Sequence, residues 1–256
     1  TWSTDTMTSE PAANHLLYTE LAPWYHVMTA PEEYARESEY IGSLVDAAIV
    51  GEARTLLELG SGGGNNASHL KARFTCVLSD LSPQMLATSR DINPECEHVV
   101  GDMRSLRLGR TFDVVLIHDA IDYMTTEDDL RAAITTAAAH LRPGGVAVLA
   151  PDVVIETFEP GTSTGGTDAD DGRGVRYIEW THDVGPDANR YHTDYVYLLR
   201  DADGSVRVSH DRHTFGLFAR ATWARLMDEA GLMPLEDLPV EDPYAGHHVV
   251  LVARRR

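Results

Sequence analysis

Residues 55–64 read TLLELGSGGG, and this stretch decides the fold. The apolar run Thr55–Leu59 is typical of a buried strand, and glycines follow it without a break. Glycines at the end of a strand allow the backbone to turn sharply and let a ligand approach the main chain closely. An amphipathic stretch over Ala67–Arg73 then predicts a helix. The segment therefore predicts a strand, a ligand-binding turn and a helix.

The same alternation of short apolar runs and amphipathic stretches continues to residue 150. Ser82 precedes Pro83, a good N-cap and first position for a helix. Strands with continuous apolar runs, alternating with helices, predict a parallel sheet covered on both faces. The fold class is thus α/β, a Rossmann-like, doubly wound and mostly parallel sheet. The predicted elements are strands Thr75–Ser79, Glu97–Val100, Asp113–Ile117 and Val146–Ala150, and helices Pro83–Arg90 and Thr126–Leu141, the last ended by Arg142-Pro143-Gly144-Gly145.

The flanks of this core differ from it. Residues 14–50 look helical and contain an aromatic cluster, residues 151–174 look like a loop, and alternating strands follow. We expect an N-terminal helical lid over 7–50, a ligand-binding domain over 51–152 and 219–256, and an antiparallel β insertion over 153–218. The predicted late elements are strands Val175–Asp183, Arg190–Arg200, Val206–Phe218 and Val249–Ala253, turns Gly185–Asp187 and Asp201–Gly204, and helix Ala221–Ala230.

Charge and composition exclude several classes of protein. The chain has 21 basic and 40 acidic residues, a net charge of −19, whereas a nucleic-acid binder needs cations to replace phosphate counterions. No apolar run is long enough to span a membrane, and no secretory signal is visible, so we expect a cytoplasmic location. The two cysteines and twelve scattered histidines form no metal-binding motif, so we expect no metal.

Polar residues follow each of the first four strands, where ligands of open α/β sheets bind. Glu58, Gly60 and Gly62 belong to the first turn. Asp80 follows the second strand, about 20 residues on, where a carboxylate can accept hydrogen bonds from ribose hydroxyls. Asp102 and Met103 follow the third strand, and His118 and Asp119 follow the fourth. The glycine turn alone would also fit nicotinamide and flavin binders.

The series LLELGSGGG, SD-LSPQML, GDM-RSL, FDVVLIHD and LRPGGVAVL resembles the successive motifs of class I S-adenosylmethionine (SAM)-dependent methyltransferases. The resemblance covers about residues 50–150 and implies SAM as cofactor and S-adenosylhomocysteine (SAH) as product. A dehydrogenase usually lacks the Asp-Met pair and the L-x-P-G-G turn. The resemblance implies cofactor contacts from Glu58, Gly60, Gly62, Asp80, Leu81, Met85, Asp102, Met103 and His118, and from lid residues Tyr18 and Tyr25.

A looser resemblance, carried by Glu156-Thr157-Phe158 and His213–Phe218, is to amino-sugar N,N-dimethyltransferases of antibiotic biosynthesis. It implies a small cationic amine as the acceptor and agrees with the acids around the expected cleft. O-methylation of a hydroxylated natural product and a SAM-binding sensor without turnover remain alternatives. The sequence leaves the oligomeric state open, and a homodimer is compatible with it.

Methyl transfer needs alignment of the nucleophile, and a base where the nucleophile carries a proton. His118 is a candidate base, or a residue that packs or bonds on the cofactor side. Asp119 and Asp152 are candidate ligands of a cationic substrate. The alternatives are that Asp119 caps the following turn and that Asp152 is an exposed acid in a loop. His213 is a fourth catalytic candidate if its strand faces the active site, and otherwise faces solvent.

Overall fold

A computed structural model describes residues 15–183, 185, 189–236, 238–244 and 249–256. The α-helices are α1 Tyr25–Met28, α2 Ala35–Ala48, α3 Asn65–Leu70, α4 Pro83–Ile92, α5 Glu127–Ala139 and α6 Arg220–Glu229. The strands are β1 Thr55–Leu59, β2 Thr75–Asp80, β3 Glu97–Val100, β4 Phe112–Ile117, β5 Leu141–Leu149, β6 Gly161–Asp168, β7 Gly174–Asp183, β8 Arg190–Arg200, β9 Val206–Gly216, β10 Leu232–Leu235 and β11 Leu251–Arg255.

The main sheet has seven strands in the order β10-β11-β5-β4-β1-β2-β3. Strands β1 to β5 run parallel, while β11 pairs antiparallel with β5 and β10 antiparallel with β11. The strand order reverses between β1 and β4, and ligands of open α/β sheets bind at such a reversal. The predicted doubly wound, mostly parallel sheet is confirmed.

Each face of this sheet has its own hydrophobic core, because successive residues of a strand point to opposite sides. Leu57 and Leu59 of β1 pack with residues of α5 and α6 on one face. Leu56 of the same strand packs on the other face with Ile41 of α2 and Leu70 of α3. Burial on both faces accounts for the continuous apolar runs in the sequence.

The late strands form a separate antiparallel sheet in the order β6-β7-β8-β9. The prediction of a loop over 151–174 was wrong in part, because β6 lies within it. This strand is rich in glycine and threonine, and it pairs only with β7 and is largely exposed, so it carries no alternation of apolar and polar residues. The hairpin at Asp201–Gly204 is confirmed, with Gly204 at φ 86°.

Other boundaries moved by a few residues. Helix α5 ends at Ala139, and β5 begins at Leu141 and includes the Arg142–Gly145 segment. Its register against β4 shifts between Phe112 and Val114, so the expected turn is an irregularity within a strand. Strand β10 was not predicted, and Val249 precedes β11 rather than beginning it. Pro186 and Asp187 of the predicted turn lie outside the described residues.

The N-terminal segment joins the two sheets. Leu21, Trp24 and Val27 pack against Val175 and Tyr197 of the antiparallel sheet. Helix α2 then continues onto the main sheet. The described helices include none that is both long and apolar enough to cross a membrane.

Candidate active site

The glycine turn after β1 forms the floor of the site. Gly60, Gly62 and Gly64 have φ values of 74°, 53° and 79°, in the left-handed region that favours glycine. A Cβ on Gly60 would lie 2.3 Å from the Cβ of Ala120, and one on Gly64 would lie 2.2 Å from the Oγ of Ser89. The backbone angles therefore favour glycine at all three positions, and close packing requires it at Gly60 and Gly64.

Asp80 at the end of β2 is held by the same turn. Its two carboxylate oxygens accept hydrogen bonds from the backbone nitrogens of Gly62 and Ser82, each at 2.8 Å. Burial raises the pKa of Asp80 above its usual value, although these hydrogen bonds oppose the shift. Each oxygen keeps a lone pair for a ligand hydroxyl, the arrangement that a ribose diol needs.

Glu58 lies beneath the cavity and is 2% exposed. Burial raises its pKa to about 8. Its Oε2 has no hydrogen-bond partner among the described residues. A buried, unpartnered carboxyl at a cavity wall is suited to a cationic ligand, because the ligand supplies the charge that the protein leaves unmatched. SAM carries a sulfonium and an ammonium group, so the site fits it.

Asp102 and Met103 follow β3 at the far end of the same cavity. The Asp102 carboxylate is bound by the guanidinium of Arg104, with Nη2 to Oδ2 at 2.7 Å. Arg104 also binds Asp129 of α5 at 3.0 Å. The expected contact of Asp102 with the cofactor therefore stays a prediction, in which the carboxylate would be shared with Arg104.

Three tyrosines of the N-terminal segment line the cavity, which holds about 1100 Å³ of empty space, including the part open to solvent. They are Tyr18, Tyr25 and Tyr34, and burial raises the pKa of each phenol, so all three stay neutral. Other wall residues are Glu58, Gly60, Gly62, Asp80, Leu81, Asp102, Met103, His118, Asp119, Ala120 and Tyr123. Met85 is fully buried and absent from this wall.

His118 directly follows β4 and has both ring nitrogens engaged. Nε2 lies 2.7 Å from Oε1 of Glu37, and Nδ1 lies 2.8 Å from Oδ1 of Asp119. Burial opposes a charge on this ring, but the two carboxylates outweigh burial and raise its pKa well above the usual value. The two carboxylates thus favour the imidazolium form of His118, which hydrogen-bonds Glu37 and forms an ion pair with Asp119. Its role as a general base stays a prediction, and this arrangement argues against it.

A second cavity opens beside the first, with about 850 Å³ of empty space. Asp152 belongs to its wall, and burial and the charge of Asp119, which lines the first cavity, raise its pKa well above the usual value. Asp122, 2% exposed, accepts a hydrogen bond from the backbone nitrogen of Asp152 at 2.8 Å. Burial, then the charge of Asp152, raises the pKa of Asp122 well above its usual value. Glu179, Tyr191, Tyr195 and Phe215 line the other walls.

His213 is only 1% exposed, so the solvent-facing alternative was wrong. Its strand packs against the lid, and its ring stacks on His15 at 4.0 Å between centroids. His213 lines neither cavity, but its Nδ1 lies 2.7 Å from the hydroxyl of Tyr123, and Tyr123 lines the first cavity. A catalytic role in direct contact with substrate therefore stays a prediction, and the observed contacts are with the cavity wall.

Sequence reasoning missed Glu37, Tyr34 and Glu179 as site residues. Tyr34 and Glu37 are three residues apart at the start of α2, so they share one face of the helix and reach His118 together. That spacing was the available signal. Glu179 of β7 gave none, because its position over the cleft depends on how the second sheet packs.

Comparisons with known proteins agree with this geometry. Residues 56–145 match a family described as a methyltransferase domain. A Streptomyces venezuelae relative, dTDP-3-amino-3,4,6-trideoxy-alpha-D-glucopyranose N,N-dimethyltransferase, is 33% identical over 203 residues, 78% of this chain and 84% of the relative.

Two solved structures share the whole architecture. DesVI from Streptomyces venezuelae superposes with a TM-score of 0.78 at 29% identity, covering 92% of this chain and 97% of that one. SAM-bound CalS10, an amino pentose methyltransferase from Micromonospora echinaspora, gives 0.77 at 28% identity, covering 91% and 96%. The glycine turn and the carboxyls of the site fit SAM, and the matches to known methyltransferases agree with them. The chain belongs to the class I SAM-dependent methyltransferases.

Proposed function

We propose that this methyltransferase acts on the nitrogen of a small cationic amine of the amino-sugar type. One observation carries the proposal: carboxyls converge where the cofactor cavity meets the second cavity. Asp119 lies on the first wall, Asp152 on the second, and Asp122 directly behind them. The relatives named above, which methylate sugar amines according to their names, support the same acceptor class.

The electrostatics of this cluster favour a cation over a neutral hydroxyl. Like charges at close range raise the pKa of carboxyls, and here the pKa of Asp152 is raised well above its usual value by burial and by the charge of Asp119. An ammonium group placed between these carboxyls would neutralise the repulsion. A hydroxyl would leave it unrelieved, so the proposal favours N-methylation over O-methylation.

An amine must lose its proton before it can act as a nucleophile. Asp152 lies at the junction and is the proposed proton acceptor. Its raised pKa is closer to that of an ammonium group than the pKa of an ordinary carboxyl is, which favours proton transfer. His118 holds Asp119 through its Nδ1 and is itself held by Glu37, so it orients the acceptor site.

Methyl transfer is an in-line displacement, so alignment is the main contribution of the protein. SAM supplies the methyl group on a sulfonium. The glycine turn and Asp80 hold the nucleoside, and Tyr18, Tyr25 and Tyr34 cover the cavity and limit the entry of water. The antiparallel sheet, through Tyr191 and Tyr195, forms the wall that selects the acceptor.

The test compares a matched pair of sugar nucleotides that differ only by an amino or a hydroxyl group at one carbon. Each is incubated with SAM and the purified protein, and methylated product and SAH are followed by mass spectrometry. We expect product from the amino sugar alone. Methylation of the hydroxyl analogue alone would replace the proposal with O-methylation, and SAH binding without turnover on an amine and alcohol panel would favour a sensor.

A second experiment tests the carboxyls. Asp152→Asn should lower kcat/KM for the amine by about 10- to 100-fold, the scale of one hydrogen bond to a charged group. The affinity for SAH should not change. Asp128→Asn, on an exposed position of α5, is the matched control and should keep full activity. Equal kcat/KM values for Asp152→Asn and the wild type would contradict the proposed role.

A further inference from the structure

A chain of hydrogen bonds joins the antiparallel sheet to the cofactor cavity. The Tyr18 and Tyr123 hydroxyls lie 2.7 Å apart, and the Tyr123 hydroxyl lies 2.7 Å from Nδ1 of His213. Nε2 of His213 lies 3.0 Å from Oδ2 of Asp211. Asp211 and His213 are both at most 7% exposed, so water does not replace these partners.

The chain can run in only one direction. Asp211 is a carboxylate that also accepts the backbone N–H of Leu17, and the pKa of Asp211 lies well below its usual value because hydrogen bonds from His15 and His213 outweigh burial. Nε2 of His213 must therefore donate to Asp211. Burial lowers the pKa of His213, so its ring is neutral and Nδ1 is an acceptor.

Each remaining hydroxyl has one proton to give. Tyr123 gives its proton to His213, so Tyr18 must give its own to Tyr123. No other hydrogen bond to the Tyr18 hydroxyl is found among the described residues. The Tyr18 oxygen consequently keeps its lone pairs and has no proton to present to the cavity.

The two tyrosines lie near the junction of the two cavities. Both line the cofactor cavity. The ring of Tyr123 lies 5.0 Å from that of Phe215, a wall residue of the second cavity. A group that passes from the cofactor to an acceptor crosses this junction.

We propose that Asp211 and His213 are positioning residues that keep the Tyr18 oxygen a hydrogen-bond acceptor toward the sulfonium group of bound SAM. Sulfonium methyl hydrogens are polarised by the positive charge, and an oxygen lone pair stabilises them, whereas a hydroxyl proton would be repelled. The chain thereby favours cationic SAM over neutral SAH. This inference rests on SAM binding in the cavity and is independent of the acceptor.

The same side chains have a second interpretation. Ligand atoms of His15, Asp211 and His213 lie within 4.8 Å of one another, close enough for a metal ion. However, both nitrogens of His213 are already hydrogen-bonded, and Leu17 occupies an Asp211 oxygen. The hydrogen-bond chain and Leu17 thus account for both nitrogens of His213 and for Oδ2 of Asp211.

The test measures dissociation constants for SAM and SAH by calorimetry and follows their ratio. In His213→Phe the Tyr123 proton loses its acceptor, so the Tyr18–Tyr123 hydrogen bond is no longer held in one direction, and the Tyr18 proton is free to point into the cavity when Tyr123 donates. We expect the preference for SAM over SAH to fall by about two- to fivefold, the scale of one weak C–H···O hydrogen bond. The affinity for SAH should stay unchanged, which also shows that the variant is folded.

Two further variants make the result specific. His213→Gln offers one acceptor and one donor in place of the two ring nitrogens, and should restore the preference. His192→Phe is the matched control. His192 lies on the neighbouring strand β8 and faces the other side of the sheet, where it hydrogen-bonds only Thr214 among the described residues, so this variant should behave as the wild type. If His213→Phe does not fold, Tyr123→Phe replaces it, since that variant removes the acceptor of the Tyr18 proton directly.

Three results would overturn the proposal. They are an unchanged SAM-to-SAH ratio in the folded His213→Phe or Tyr123→Phe variant, an equal loss of affinity for both ligands, and a ratio that changes when the wild type is dialysed against a metal chelator. The last would assign the cluster to a metal instead.

Discussion

Substituting Gly60 by alanine tests the cofactor turn directly. At φ 74° the residue is left-handed, and the added Cβ would lie 2.3 Å from the Cβ of Ala120 and 2.8 Å from Cε of Met103. Both neighbours line the cofactor cavity, so relief of the clash pushes them into the space that the nucleoside needs. We expect a loss of both stability and SAH affinity.

A second glycine separates the two sources of this loss. Gly51 has φ 85°, but a Cβ there would have no neighbour within 4 Å. The left-handed conformation costs either alanine variant about 1–2 kcal/mol. Crowding adds about 1–3 kcal/mol for Gly60→Ala alone. With roughly 2–4 °C of melting temperature per kcal/mol in a chain of this size, Gly60→Ala should melt about 2–12 °C below Gly51→Ala.

The assay is thermal unfolding of both variants, followed by calorimetric titration with SAH. Gly60→Ala should bind SAH at least about tenfold more weakly than the wild type, which corresponds to 1.4 kcal/mol. Gly51→Ala should bind SAH normally. Equal melting temperatures for the two variants, or normal SAH binding by Gly60→Ala, would refute the argument from close packing.

Three other predictions follow from named contacts. Burial raises the pKa of Glu58 to about 8, so between about pH 4.5 and pH 8 the folded wild type holds a proton that the unfolded chain has released. The stability of the wild type therefore falls as pH rises through this range. The melting temperature of Glu58→Gln should therefore rise relative to that of the wild type between about pH 5 and pH 8, and a constant difference would argue against a proton on Glu58. Hydrogen bonds from Arg142 and Thr55 outweigh burial and lower the pKa of Asp113 to about 2. The ionised carboxylate therefore adds roughly 1–2 kcal/mol to the free energy of unfolding at neutral pH, and this contribution should disappear as pH falls from about 4 to about 2. The measurement is the difference in free energy of unfolding between the wild type and Asp113→Asn. Ser82→Ala and Thr126→Ala each remove an N-cap and should each lower stability by about 1 kcal/mol, yet only Ser82 also donates to the Tyr18 carbonyl at 2.6 Å. Limited proteolysis should therefore cut the N-terminal segment faster in Ser82→Ala alone, and equal rates would show that this contact does not hold the lid.

The main sheet was predictable because its signals are local. The run Thr55–Leu59 and the glycines after it specify a buried strand and a tight turn by their own chemistry, and Ser82 and Pro83 mark a helix start in the same way. Strand β6 was not predictable, because an exposed edge strand pairs through its backbone and needs no apolar pattern.

Parts of the site were predictable for a related reason. The carboxyl ends of parallel strands meet at one edge, so Glu58, Asp80 and His118 had to lie close together once the sheet was inferred. The protonation of His118 was not predictable, because it depends on Glu37, which is 81 residues away in the chain and reaches it only through the packing of α2.

The sequence by itself therefore determined the alternation of strands and helices, the cofactor turn and the acids that follow each strand, since each depends on neighbours within a few residues. Only the tertiary structure decided which charges meet. The charge of Asp119 acts on Asp152 where the two cavities meet, and His213 reaches Tyr18 through Tyr123, because side chains distant in the chain are brought together by the packing of the N-terminal segment and the second sheet. Long-range contacts of this kind leave no periodic signal, and they set the proton positions in the candidate site.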